Sequence, residues 1–124
     1  MAAERWVRGG SLRLRKKEGT DTMWIFLSNS FISVVQKPGD TDLLTVRARM
    51  KGDIETVLPD AKVEANKGTD YKYRAKVPRE TVAKALYDQT MGVAYPNFKG
   101  AVKAKKRHDA YMGVWSAMYA VQDR

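Results

Sequence analysis

The chain has a single histidine, His108, and its neighbour is Asp109. A hydrolytic triad needs a base held by one partner and aimed at a placed nucleophile. Adjacent residues cannot supply that geometry, and no nucleophile elbow occurs, so His108 reads as a surface residue at a helix start. No cysteine is present, which removes disulfides, thiolate metal sites, iron–sulfur clusters and a thiol nucleophile together. A zinc site would lack its usual nitrogen and sulfur ligands. Asp53, Asp60 and Glu64, with Lys62, faintly follow the pattern in which carboxylates hold Mg²⁺ and a lysine supports the nucleophile, but at poor spacing. Neither a phosphate loop nor a dinucleotide fingerprint occurs. No catalytic, cofactor or metal residue is therefore assigned.

Basic and aromatic residues carry more. Arg47, Arg49, Lys72, Arg74 and Lys76 could share one face of a sheet. Such a face with exposed rings can stack bases, as RNA-recognition modules do. Strict alternation, however, puts Tyr71 and Tyr73 on the opposite face, and the Gly-aromatic-x-Phe type of strand is missing. Lys103, Lys105, Lys106 and Arg107 form a second basic cluster, expected to be solvated. Tyr111, Trp115 and Met118 fall on one helical stripe. Core packing explains that stripe best: Trp115 is expected to be buried, with a cost of roughly 3–5 kcal/mol on truncation to alanine. An undocked helix would make the same stripe a partner surface.

The elements that must position these residues follow from periodicity. Ser30 to Val35 is a predicted strand, Lys37-Pro38-Gly39-Asp40 a turn, and Leu43 to Arg49 a second strand paired with the first as a hairpin. Lys51 to Leu58 is a short helix ended by Pro59. Lys62 to Ala65 is a brief strand turned at Asn66-Lys67-Gly68, and Tyr71 to Val77 a clearer one. Pro78 suits the start of a helix that runs from Arg79 to Met91 and stops at Gly92. Asn97 to Gln122 is helical, divided by the basic run from Lys103 to Arg107. The order ββαββαα predicts an α+β fold: a permuted ferredoxin-like, four-stranded antiparallel sheet with helices on one face and the last helix docked by its aromatic stripe.

Length and composition set the outer limits. A chain of 124 residues with 44% hydrophobic content suits one domain. The charge of +9 permits nucleic acid or an acidic protein surface as partner, and equally permits plain solubility. No apolar run approaches the ~20 residues of a membrane span, and Ser28, Asn29 and Ser30 interrupt the run after Met23, so the expectation is a cytoplasmic protein without a membrane partner. Residues 1–22 are basic and poor in apolar residues, and residues 23–124 carry the folding pattern, beginning with Met23-Trp24-Ile25-Phe26-Leu27. Lys16-Lys17-Glu18-Gly19 can be encoded by a purine-rich string like a bacterial ribosome-binding sequence shortly before Met23. The first 22 residues are thus either leader translated from an early start or a basic arm for an anionic partner.

Six strings occur in order: Trp24-Ile25-Phe26, Phe31-Ile32-Ser33-Val34-Val35, Val46-Arg47-Ala48-Arg49, Thr69-Asp70-Tyr71-Lys72-Tyr73-Arg74, Tyr95-Pro96-Asn97-Phe98-Lys99 and Tyr111 to Trp115. Together they resemble a widespread family of small uncharacterised bacterial proteins, over Met23 to about Gln122. The resemblance implies a compact bacterial domain and transfers no activity. Arg47, Arg49, Tyr71, Arg74, Asn97, Lys99 and Trp115 match its pattern and are the candidate binding patch. The leading expectation is a non-enzymatic binding module for an anionic partner. A small metal-dependent phosphodiesterase or nuclease and a dimeric scaffold are the alternatives.

Overall fold

Large apolar residues alternate with small or polar ones through the middle of the chain, and that alternation sorts the two faces of a sheet. The computed structural model describes residues 22–65 and 70–123. The expectations for residues 1–21 and for the Asn66-Lys67-Gly68 turn lie outside the described residues. Five strands are described: β1 (Thr22–Leu27), β2 (Ser30–Val35), β3 (Leu43–Ala48), β4 (Glu64–Ala65) and β5 (Tyr73–Pro78). They form one sheet in the order β1-β2-β3-β5-β4, antiparallel throughout. The fold is α+β as expected, but the sheet has five strands rather than four. The added strand is the apolar run after Thr22. Its Trp24, Ile25 and Phe26 pair with Ser33, Ile32 and Phe31 of β2, which gives the run a ladder and not only a core position.

Four helices are described: α1 (Asp53–Val57), α2 (Arg79–Met91), α3 (Phe98–Ala101) and α4 (Lys105–Ala120). The first is shorter than the pattern from Lys51 predicts. Gly52 precedes it with φ of +93°, a left-handed conformation that glycine adopts without steric cost, so the helix can start only after it. The core lies on one face, where Ile32, Val34, Leu44, Val46, Ala48, Ala75 and Val77 of the strands meet Ile54, Val57 and Leu58 near α1 and Val82 of α2.

The last helix behaves differently. A buried ion pair ties its first turn to the N-terminus of α1: Arg107 Nη2 lies 2.7 Å from Asp53 Oδ1 and Nη1 lies 3.0 Å from Oδ2. The same Oδ2 accepts the Phe31 N–H at 3.0 Å. One turn later the Tyr111 hydroxyl is 3.0 Å from the carbonyl of Leu27 and 2.9 Å from that of Ser30, at the tip of the β1–β2 hairpin. The Tyr111 ring meets Phe26 edge-on and stacks on Phe98. Past that point α4 leaves the body: Trp115 is 47% exposed, Met118 63% and Tyr119 51%. The expectation that Trp115 is buried is therefore overturned. The helical stripe is real, but the helix crosses only the hairpin tip, so Tyr111 is seated while Trp115 and Met118 run beyond the surface that could cover them.

Candidate functional site

The sheet face away from α1 and α2 carries a cross-strand row. Trp24 pairs with Ser33, Ser33 with Arg47, Arg47 with Arg74, and Arg74 with Glu64. The side chains of such a row stand on the same face at strand spacing. Arg47 is held in place by a hydrogen bond from Nη2 to Ser33 Oγ at 2.8 Å. Arg49, just past the end of β3, donates from Nη1 to the Asp70 backbone carbonyl at 3.0 Å and to its Oδ1 at 3.3 Å. That carboxylate raises the pKa of the already permanent Arg49 cation, chiefly through the hydrogen bond.

Tyr71 completes the arrangement. The Arg47 guanidinium lies 4.4 Å from its ring centroid and that of Arg49 4.1 Å. Simple alternation places Tyr71 opposite these arginines. The structure corrects this, because β5 starts only at Tyr73 and residues 70–72 form a bend. Freed from the strand period, the Tyr71 ring inserts between the two cations and is 3% exposed. Tyr73, inside the strand, does face the core. Thr22, Trp24, Arg47, Arg49, Asp70 and Tyr71 line an open cleft of about 530 Å³. Trp24 is 63% exposed at its rim, with one ring edge against Phe31. The candidate patch omits Trp24, which was visible only as part of an apolar run. Its position opposite Ser33 in the ladder is the signal, and the ladder is not a local feature.

This face holds unusual polar chemistry. Arg47 Nε, Arg74 Nε and Thr45 Oγ1 are buried with no hydrogen-bond partner among the described residues. Each such group costs about 1–3 kcal/mol. A cluster of local conflicts of this kind is the expected mark of a functional rather than a purely structural surface.

The other candidates lie elsewhere. The Asn97 side chain caps α3, accepting from the Lys99 and Gly100 N–H groups at 3.0 and 3.4 Å. Lys99 holds its ammonium 4.8 Å from the Trp115 ring centroid. The seven residues thus divide, with Arg47, Arg49, Tyr71 and Arg74 on the sheet and Asn97, Lys99 and Trp115 beside α4. Among the scattered acids, Asp53 is buried against Arg107, whereas Asp60 and Glu64 are exposed. Among the described residues no three His, Cys, Asp or Glu stand close enough to hold a metal ion. The second basic cluster also divides, since Arg107 is buried rather than solvated while Lys103, Lys105 and Lys106 are exposed. His108 is partly exposed in the first turn of α4, with Nδ1 3.7 Å from Asp109. No described helix is long and apolar enough to cross a membrane. Set against known proteins, the chain matches no family model, no curated protein and no solved structure.

Proposed function

We propose that the chain binds single-stranded nucleic acid across the basic face of its sheet. The observation that carries this reading is the cleft in which two guanidinium groups flank Tyr71 beside the exposed ring of Trp24. Arginine presents several donors in a rigid fork suited to phosphate oxygens. An exposed indole offers a flat face on which any base can stack. Cations and a stacking platform together suit a flexible strand whose bases are unpaired, more than a duplex whose bases are hidden. Arg74, next to Arg47 in the ladder, extends the positive track toward the far edge of the sheet, whereas Lys76 on the same face is paired with Asp40 at 2.8 Å.

The fold supports the same reading. We take strands β2-β3-β5-β4 as a ferredoxin-like sheet begun one strand early, with β2 filling the place of the missing last strand and β1 added outside it. The face away from α1 and α2 carries the arginine row and the cleft, and α4 meets that face at Phe26 through Tyr111, so the nucleic-acid strand would lie along the arginine row. No array of side chains suited to reading base edges accompanies the arginines, so binding is electrostatic and weakly sequence-selective.

The test is an anisotropy titration with mixed-sequence single- and double-stranded probes over a range of salt. Affinity for the single strand should be higher and should fall with salt at a slope of about −0.7 per phosphate contact. The combined Arg47→Ala, Arg49→Ala and Arg74→Ala variant should bind all sequences more weakly and show a shallower slope. If neither probe binds below about 0.1 mM at low salt, the weak end of ordinary non-specific affinity, the proposal fails.

A further inference from the structure

A second concave surface, with none of the cleft's lining residues, lies between β1, α3 and α4. Phe26 of β1, Phe98 and Val102 around α3, and Met112 and Trp115 of α4 line an apolar groove of about 170 Å³. An apolar cavity of ~150 Å³ accepts benzene, so this groove has room for one aromatic ring or branched aliphatic side chain. The apolar surface does not stop at the groove. Trp115, Met118 and Tyr119 continue it along α4, exposed at 47%, 63% and 51%, and Val121 just past its end is 70% exposed. A small molecule would fill the groove and leave that stripe in water. A peptide with an anchor side chain and further apolar residues at helical spacing covers both.

The surrounding charge selects among peptides. Between Tyr95 and Met112 the sole acidic residue is Asp109, which lies 2.8 Å from Lys105. Arg107 is likewise closed by Asp53. Lys99, Lys103 and Lys106 are left with no carboxylate partner among the described residues, and Lys99 lies at the groove itself over the Trp115 ring. A second copy of the chain, docked on a two-fold axis, would set these lysines against their own counterparts, in a molecule already carrying +9. An acidic partner meets them favourably.

We propose that the α3–α4 groove docks an acidic amphipathic segment of another protein, with one large apolar side chain in the groove and carboxylates against Lys99, Lys103 and Lys106. The site is separate from the sheet cleft and does not depend on it.

The probe is a fluorescently labelled synthetic helix of about four turns, with phenylalanine and leucine on one face and glutamate elsewhere. Two controls are the same peptide with lysine for glutamate and with alanine for the anchor phenylalanine. Titrated against the full chain, the acidic peptide should bind at least about tenfold tighter than either control. Met112→Trp, which fills the groove, should weaken binding by a similar factor. The pair Lys99→Glu and Lys103→Glu should reverse the preference between acidic and basic peptides. Arg47→Ala with Arg49→Ala should leave binding unchanged. A thermal melt of each variant confirms that it is folded. The proposal is overturned if the acidic and basic peptides bind alike or neither binds below about 1 mM. It is also overturned if binding follows the cleft arginines rather than Met112, or if sedimentation shows the chain pairing with itself through α4.

Discussion

The sheet cleft and the α4 groove use the same residue types in opposite places. In the cleft the cations are central, two of them against the Tyr71 ring, and the exposed Trp24 stands at the rim. In the groove the rings and methyl groups are central, with Lys99 and His108 the polar side chains in the lining. A surface of the first kind suits a polyanion that also offers flat faces. A surface of the second kind suits an apolar side chain with acidic neighbours. The supports differ as well. The cleft is built mainly on paired strands, which fix their side chains through the whole ladder. The groove depends on a helix anchored at its first two turns by Arg107 and Tyr111.

That difference is broken most severely at the anchor. Replacing Arg107 or Asp53 by alanine leaves one buried charge without its partner, and the expected cost is roughly 3–5 kcal/mol in urea unfolding. Among the described residues Asp53 would then retain the Phe31 N–H, or Arg107 the distant Tyr111 hydroxyl at 3.4 Å. Replacing both residues by apolar ones of similar volume should cost less than the sum of the singles, because no orphaned charge remains. Where the single variants still fold, the peptide site should be lost while the sheet cleft keeps its nucleic-acid affinity. Parallel loss of both sites would show that the two regions are mechanically one.

The cleft is sharpened by Trp24→Ala. Base stacking on an aromatic ring is worth about 1–3 kcal/mol, so single-strand affinity should drop accordingly in the anisotropy assay. Folding stability should change by less than about 1 kcal/mol, because most of this ring is in water. A large loss of stability with unchanged affinity would make Trp24 a structural residue of the β1 edge.

A smaller effect is expected at Tyr111. Phenylalanine there keeps the stacking on Phe98 but removes the hydroxyl shared by the Leu27 and Ser30 carbonyls, at about 0.5–1.5 kcal/mol. Burial pushes the Tyr111 phenol above its usual range, with Arg107 opposing that shift. The native state therefore holds this proton after an unfolded tyrosine, near pH 10, has lost it. Its stabilisation is complete below that pH and falls away as pH rises further. Tyr111→Phe should flatten that part of the alkaline stability profile, measured by urea midpoints across the range.

The sheet was legible from local pattern because strands announce themselves by alternation: Ser30–Val35 and Leu43–Ala48 lie within a residue of where the sequence puts them. The bounds of α2 follow in the same way from apolar spacing and from Gly92. Features that depend on distant residues were not legible. Thr22–Leu27 is an edge strand because β2 is there to pair with it. Asp53 and Arg107 are separated by 54 positions, so nothing local pairs them: Asp53 reads as one of the scattered acids and Arg107 as part of a solvated basic run. Tyr71 breaks the alternation at a bend that neither proline nor a described glycine marks. The arginines of the patch could be found from their spacing; Tyr71 entered it only through the resemblance, and Trp24 not at all.

Trp115 supplies the smallest expected change in stability and the clearest contrast with the sequence pattern. Its stripe of Tyr111, Trp115 and Met118 fits a docked core helix, for which truncation costs several kcal/mol. In the structure its ring is half in water, stacked on Tyr119 at 5.2 Å between centroids and nearly parallel to it, with Lys99 over it. These contacts lie within α4 or come from the ammonium of one lysine, and the ring is not part of the core cluster between the sheet, α1 and α2. Trp115→Ala should therefore shift unfolding free energy by less than about 1 kcal/mol. The same change removes one wall of the groove, so affinity for the acidic peptide should fall even though the fold does not. Measured side by side, urea unfolding and peptide titration separate a ring that holds the protein together from one that presents a surface. A loss of several kcal/mol would mean that α4 is covered along its length in solution, and the groove would then be part of the core.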